Sequence, residues 1–243
     1  MNISIKTIIN GKEIPRTDVL AWKTKRARTV LKRLGVKPTS SDLTIMHQQL
    51  AKKKQELGID RILQLLHREL TVSDLFAILT ARLSFGARRF SMTELVVSHG
   101  TAEQFVEWFN ERTRTDDEHA MLAGTPDHYC IRTNEDGSQY VVETNGGSPL
   151  VAQFFINYKD LSSLRSPVDP TYTLQIAGVA RSANGLALGG VRHQFRNEGD
   201  GFRARLLVEY PLFILPQVLT GHQWHLASEF GNWIEAALRD DQI

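Results

Sequence analysis

Cysteine and long hydrophobic runs are scarce in this 243-residue sequence. The single thiol, Cys130, cannot form an intramolecular disulfide, which excludes a disulfide scaffold and favours a reducing compartment. No stretch approaches the ~20 apolar residues that a membrane-spanning helix needs, and the first residues carry no apolar run of the signal-peptide kind. With 42% hydrophobic and 23% charged residues, the composition is also that of a typical globular protein and excludes a wholly disordered chain. We therefore expect a cytoplasmic globular protein with no membrane partner.

The sequence also lacks the glycine and serine motifs of several large enzyme classes. The glycines between Gly185 and Gly201 form neither a GxGxxG fingerprint nor a P-loop with its lysine. No serine lies in a nucleophile-elbow sequence. Nucleotide-dependent and serine-hydrolase chemistry are therefore disfavoured.

The net charge of +2 conceals an uneven distribution. Residues 1–70 carry 15 Lys and Arg against 6 Asp and Glu, whereas residues 71–243 carry 14 against 21. Such a split is found in nucleic-acid-binding arms on acidic bodies. It is also expected of basic helices that dock onto an acidic surface of the same chain or of a second subunit. Because no aromatic residues of the stacking kind interrupt the basic doublets, we favour docking over nucleic-acid binding, and the same helices would be the contact in a homodimer.

Apolar periodicity predicts an α+β protein in two parts. Residues 1–90 are expected to form a basic helical domain, with helices over 19–34, 40–57, 59–70 and 71–83. A helix-turn-helix could lie there, but short linked helices are more often packing units. From residue 91 onward, one β-branched segment precedes a helix that begins near Gly100, and further such segments, several of them separated by turn signals, follow it. These predict strands over 92–98, 128–134, 138–146, 149–158, 171–181, 184–196 and 202–210.

A long helix from Pro216 to Leu238 ends the predicted second domain, residues 91–243. An antiparallel sheet followed by such a helix suggests that the sheet curves around it and encloses a cavity. On this helix, His222 and Glu229 lie within the apolar stripe and His225 lies at its edge, and a buried carboxylate is costly unless it is paired, protonated or metal-bound.

Two glycines in the same helix predict a close approach of neighbouring backbone. Gly221 and Gly231 each cost about 1 kcal/mol relative to alanine inside a helix. We expect another segment to lie against the helix at these positions.

A predicted hairpin supplies a second pair of candidate ligands, His128 and Glu143. If Asp136-Gly137 is a two-residue turn, paired residue numbers sum to 273 and Glu143 is the diagonal neighbour of His128. At a sum of 271 the two residues are directly opposite, and at 272 they lie on different faces. Two imidazoles and two carboxylates would suit zinc, although iron or manganese would accept the same set. A metal-free His–Glu ion pair is the alternative for His225 and Glu229.

Several short motifs lie between residues ~92 and ~238, and their order along the chain is informative. They are Phe105-Val-Glu-Trp-Phe, Thr125-Pro-Asp-His128, Glu143, Gly189-Gly-Val-Arg-His193, Gly201-Phe-Arg-Ala-Arg205 and His225-Leu-Ala-Ser-Glu229. This order resembles the diacetylphloroglucinol hydrolase / phloretin hydrolase family. The resemblance implies a Bet v 1-like helix-grip domain with zinc held by His128, Glu143, His225 and Glu229. It also implies retro-Claisen hydrolysis of the carbon–carbon bond between an acyl group and a phenolic ring, in a small aromatic or polyketide-like ketone.

Other residues are candidates for supporting roles. His222 is our candidate proton shuttle, since an unperturbed imidazole titrates near neutral pH, and Tyr129 and His119 are further catalytic candidates. Cys130 is expected to share the face of His128, as a small core residue rather than a thiolate ligand. His193 either lines the cavity or lies on a half-exposed strand. A metal-free small-molecule binding module and a ligand-sensing regulator with a nucleic-acid-binding N-terminus are the competing functions.

Overall fold

A nine-stranded antiparallel sheet forms the centre of the fold in this computed structural model, which describes residues 3–240. The strands are β1 (Ile5–Ile9), β2 (Lys12–Ile14), β3 (Arg88–Val97), β4 (His128–Thr133), β5 (Gln139–Glu143), β6 (Ala152–Asn157), β7 (Leu174–Arg181), β8 (Ala187–Glu198) and β9 (Gly201–Pro211). Their order in the sheet is β2-β1-β3-β9-β8-β7-β6-β5-β4. The β4–β5 hairpin therefore lies at one edge, and the N-terminal strands lie at the other.

Five α-helices accompany the sheet in the described residues. They are α1 (Arg16–Arg33), α2 (Leu43–Leu83), α3 (Ala102–Arg114), α4 (Glu118–Leu122) and α5 (Pro216–Asp240). The predicted α+β class, with N-terminal helices, an antiparallel sheet and a long C-terminal helix, is confirmed. No helix within residues 3–240 is both long enough and apolar enough to cross a membrane.

Helix α2 differs in part from the sequence prediction. The predicted stop at Gly58 is confirmed, since its φ of 64° and ψ of 165° interrupt the helix there. The predicted boundary between residues 70 and 71 is wrong. The Thr71 hydroxyl donates to the carbonyl of His67 at 2.9 Å, so this residue lies inside a continuous helix and does not cap a new one.

The prediction of helix throughout the N-terminal part is wrong over residues 5–14. There, β1 and β2 form a hairpin around Asn10-Gly11, both with positive φ, and β1 pairs with β3. Asn-Gly between apolar residues is a strong hairpin signal, which the helical reading overlooked. The division into domains at residue 90 stays a prediction.

Two apolar clusters lie on opposite faces of the β4–β5 hairpin. On the face that we call inner, Ile131 and Val141 join the main core, which includes side chains of α3 and α5. On the face that we call outer, Cys130 and Val142 pack with side chains of α1 and α2 such as Leu31. The hairpin is therefore enclosed between α5 and the N-terminal helices.

Candidate metal centre

Four side chains from two distant parts of the chain converge between the hairpin and α5. One potential ligand atom from each of His128, Glu143, His225 and Glu229 lies within 4.8 Å of the other three. Nε2 of His128 is 3.0 Å from Oε1 of Glu229 and 3.5 Å from Oε2 of Glu143. Nε2 of His225 is 3.6 Å from Oε2 of Glu143. The convergence that the sequence predicts is present, as a buried cluster that could hold a metal ion.

A β-bulge in β4 places His128 on the inner face. From Thr133 to Cys130, paired residue numbers sum to 272, the register at which His128 and Glu143 would lie on different faces. A shift between His128 and Cys130 then restores the pairing of His128 with Glu143. Tyr129 is the extra residue of this bulge. The hairpin thus contains two registers, whereas the spacing of its residues predicts a single uniform one.

Glycines at the facing positions allow α5 to touch the chain just after β5. A Cβ on Gly221 would overlap the carbonyl oxygen of Gly146, and a Cβ on Gly146, which has a φ of 56°, would overlap the backbone nitrogen of His222. The predicted close approach at Gly221 is confirmed. At Gly231 it is wrong, because the nearest atom to an added Cβ there is 3.5 Å away, an ordinary contact.

A backbone carbonyl orients the His128 ring. Nδ1 of His128 lies 3.1 Å from the carbonyl oxygen of Met121, and because a carbonyl can only accept, Nδ1 carries a proton. In the neutral ring, Nε2 then presents its lone pair to the carboxylates. Metal-binding histidines usually have such a partner on the second nitrogen.

The charges in the cluster favour a cation at its centre. Burial opposes a charge on His128, but the Glu143 and Glu229 carboxylates outweigh it and raise the pKa of His128 to about 9. Burial also opposes a charge on Glu143, but the histidines hold the pKa of its carboxyl well below the usual range. The Glu143 and Glu229 carboxylates therefore favour positive charge between them. A divalent cation could supply that charge in place of the protons on the histidines.

Several buried nitrogens in the cluster and in the adjacent His222 have no hydrogen-bond partner within residues 3–240. They include Nε2 of His128, both ring nitrogens of His225 and Nδ1 of His222. Leaving a buried polar atom unpaired costs about 1–3 kcal/mol, and such atoms in native proteins call for a ligand or an ordered water. A set of two imidazoles and two carboxylates fits zinc, iron or manganese. The donor types and the unpaired buried nitrogens are therefore both compatible with a divalent metal ion.

A cavity of about 280 Å³ adjoins the cluster, and Glu143, Glu229 and His222 form part of its wall. The remaining wall is mainly apolar, with residues such as Phe109, Val141, Phe154, Val191, Leu226 and Phe230. Small-molecule pockets begin at about 300 Å³ and are mostly apolar with a few polar groups. The cavity therefore suits one small, largely apolar molecule beside the four candidate ligands.

His222 lies where a group that handles a proton could act. Its ring stacks on that of His225 with 5.0 Å between centroids, and its Nε2 is 4.0 Å from Oε1 of Glu143. Burial, assisted by the nearby His225, lowers the pKa of His222 to about 3, so the ring is neutral at neutral pH. Its place in the cavity wall agrees with the sequence hypothesis, but the lowered pKa removes the reason first given for it, a titration near neutral pH. Its role stays a prediction.

Tyr129 and His119 do not reach the cluster. The bulge turns Tyr129 to the outer face, where its hydroxyl accepts hydrogen bonds from Arg33 at 3.2 Å and from Thr144 at 3.4 Å. His119 is exposed on α4 and lines a separate groove that Tyr129 also borders. Neither position gives a geometric reason for a catalytic role.

The structure contradicts the prediction for Cys130 and agrees with one of the two alternatives for His193. The expectation that Cys130 shares the face of His128 is wrong, because the bulge lies between them. Cys130 packs in the outer cluster, and burial raises the pKa of its thiol to about 12. His193 lines the cavity, and its Nδ1 accepts a hydrogen bond from the backbone N–H of Leu207 at 3.2 Å. Burial lowers the pKa of His193 to about 3, which leaves a neutral ring in the wall.

Basic residues of the N-terminal helices dock onto the body of the same chain, one of the alternatives that the charge distribution left open. Arg26 of α1 donates to both carboxylate oxygens of Asp127, at 2.7 and 2.9 Å. Lys54 of α2 donates to the carbonyls of Pro126 and His128. These contacts next to His128 were not predicted, since charge alone does not tell which basic residue is buried.

No protein-family model matches this chain, and no curated protein matches it. The family that the short motifs suggest therefore stays a hypothesis.

Proposed function

We propose that this protein is a zinc-dependent hydrolase that cleaves the carbon–carbon bond between an acyl group and an aromatic ring in a small ketone. The observation that carries the proposal is the convergence of His128, Glu143, His225 and Glu229 at the wall of an apolar cavity. We further propose that the sheet and α5 form a helix-grip arrangement around this cavity. A homodimer through the N-terminal helices stays a prediction.

In this proposal the four donor residues hold the metal ion, and the cavity holds the substrate. A bound zinc ion polarises a carbonyl oxygen and lowers the pKa of a water molecule. The chain supplies the surroundings, because the cavity wall is mainly apolar and its volume suits a small molecule. His128 is held in one orientation by the Met121 carbonyl, so the donor geometry is set before a substrate arrives.

The reaction balances without a redox partner. Water adds its oxygen to the acyl carbon, the bond from this carbon to the ring breaks, and the electron pair stays on the ring carbon. The products are a carboxylic acid and an arene that takes up one proton at that carbon. His222 is our candidate for moving this proton, since it lies in the cavity wall next to Glu143.

A metal-free binding module is the second candidate, and one contact favours it. The 3.0 Å distance between Nε2 of His128 and Oε1 of Glu229 would allow a protonated histidine and a carboxylate to neutralise each other. In this case the cavity would bind a small molecule without changing it.

Metal content and product analysis distinguish these functions. We expect the purified protein to hold about one zinc ion per chain and to release a carboxylic acid from acylated polyphenols. Glu229→Ala should lose both properties. Glu235→Ala is the matched control, because Glu235 lies on the same helix but pairs with Arg16. A protein that holds no divalent metal would refute the proposal in favour of the binding module, and bound metal without acid release would refute the hydrolase.

A further inference from the structure

The segment that carries His128 is held from outside by two buried cations. Nζ of Lys54 donates to the carbonyl of Pro126 at 3.1 Å and also to the carbonyl of His128 itself. Between these two carbonyls, the Asp127 side chain takes the bidentate hydrogen bonds of Arg26. Three consecutive residues thus contact cations of α1 or α2, immediately before the bulge that sets the direction of the His128 ring.

The burial of Lys54 makes this arrangement costly unless the contacts are kept. Only 8% of the residue is exposed, its two acceptors are neutral carbonyls, and no carboxylate within residues 3–240 forms an ion pair with its ammonium group. Removing a cation from water without a close counterion is expensive. The two carbonyl contacts and the nearby Asp127 offset this cost only while the Pro126–His128 segment keeps its present conformation.

The same helices also reach the chain that follows the second hairpin ligand. Arg33 donates to the hydroxyl of Thr144, the residue after Glu143, at 3.3 Å and to the carbonyl of Pro149 at 2.7 Å. Helices α1 and α2 therefore contact the hairpin both where β4 begins and just after β5 ends. His225 and Glu229, in contrast, are placed by α5.

We propose that Lys54 is a positioning residue of the metal centre, which holds His128 at its distance from the α5 ligands and so couples docking of the N-terminal helices to metal binding. This inference rests on the proposed metal site. The coupling is reciprocal, as linkage requires. Loosening the Lys54 contact weakens metal binding, and bound metal strengthens the docking of α2.

Lys54→Met tests the coupling, with Lys23→Met as its matched control. Lys23 is also a lysine with 8% exposure in the N-terminal helices, but its Nζ donates to Asn232 of α5 at 2.8 Å and not to the hairpin. We would measure zinc affinity of the full-length proteins by competition with a chromophoric chelator. We expect Lys54→Met to bind zinc ~10–100-fold more weakly, the range for losing a group that supports a ligand. Lys23→Met should match the wild type, and Lys54→Arg should recover most of the affinity.

The outcomes separate this inference from the proposed function. A wild type that binds no zinc removes the metal site and everything that rests on it. A wild type that binds zinc while Lys54→Met binds it equally well refutes the positioning role alone. Equal weakening in Lys54→Met and Lys23→Met refutes it too, since this would show a general loss of stability.

Hydrogen exchange on the wild type keeps the test decisive if Lys54→Met does not fold. Adding zinc should slow amide exchange in the first half of α2, residues 43–57, although none of them is a ligand. Unchanged exchange there, with zinc bound, would overturn the coupling.

Discussion

The two faces of the β4–β5 hairpin differ in how completely their buried polar atoms are hydrogen-bonded. On the outer face, the hydroxyl of Tyr129 has two donors and Thr144 is bonded to Arg33. On the inner face, Nε2 of His128 has no hydrogen-bond partner in the described chain, although it lies 3.0 Å from a Glu229 oxygen. A buried interface between helices and sheet tends to satisfy its polar groups, whereas a binding site leaves some open for a ligand.

The two faces also differ in the sign of the charge opposite them. Cations of α1 and α2 contact the outer side, whereas the carboxylate of Glu229 faces His128 on the inner side. Positive charge on the outer side stabilises the fold through existing contacts. Negative charge on the inner side provides the attraction for a cation from solution.

His128→Ala should have the largest effect on the inner face. The change removes one imidazole ligand and leaves the two carboxylates facing a single remaining histidine. We expect zinc affinity to fall by more than the ~10–100-fold typical of a supporting residue, measured by chelator competition. Retention of wild-type metal content would show that His128 is not a ligand. The inner face of the hairpin would then no longer differ from the outer face as a ligand-binding surface.

Arg26→Met should have the largest effect on the outer face. It leaves the fully buried Asp127 carboxylate without its partner, and breaking a buried pair on one side costs about 3–5 kcal/mol. Urea denaturation should show this loss in the free energy of unfolding. The control is Arg114→Met, whose pair with Glu111 is largely exposed and should contribute less than about 1 kcal/mol.

The buried Lys23 should make stability depend on pH at alkaline values. Burial is the main reason that its pKa falls from 10.5 to about 8, so between these values the unfolded chain binds a proton that the folded protein does not. Stability from this group therefore rises with pH across that window, by on the order of 3 kcal/mol.

The difference between Lys23→Met and the wild type isolates this contribution. Groups such as Cys130, whose pKa is raised by burial, act in the opposite direction but are common to both proteins. Relative to the wild type, Lys23→Met should therefore lose stability as pH rises from about 8 to about 10.5. A pH-independent difference in urea unfolding would contradict the prediction, and Lys52→Met, with an exposed lysine, is the control.

Tyr129→Phe should have the smallest effect. It removes the hydroxyl that accepts from Arg33 and Thr144 and should cost about 1 kcal/mol of unfolding free energy. Zinc content should not change, because the hydroxyl lies on the outer face. A lower zinc affinity in Tyr129→Phe, with stability unchanged, would return Tyr129 to the list of site residues.

Local patterns were sufficient for most of the fold and for the members of the candidate site. Period-two segments and turn residues predicted the strands from β3 to β9, and Pro216 with the apolar stripe predicted α5. His225 and Glu229 were identified because a polar pair on a buried helix face is costly. The β1–β2 hairpin was missed because the basic helical pattern from residue 19 onward was extended back over the Asn10-Gly11 signal.

The details of the site depend on interactions between distant segments. The bulge at Tyr129 is accommodated by contacts with Arg33, 96 residues earlier in the chain, and with α1 and α2 side chains of the outer apolar cluster. A hairpin read in isolation gives only a uniform register, so Cys130 was assigned to the wrong face. The burial of Lys54 could not be predicted either, because it lies in a run of three lysines and only tertiary packing determines which of them is buried.

The glycine contact between residues 146 and 221 has a consequence for substitution at either position. It joins backbone to backbone, so a single methyl group at either residue would act as a wedge between the turn after β5 and α5. Glu143 ends β5 just before this turn, and His225 lies one helical turn beyond Gly221. Two residues without side chains thus keep the hairpin part and the helix part of the candidate site within reach of each other.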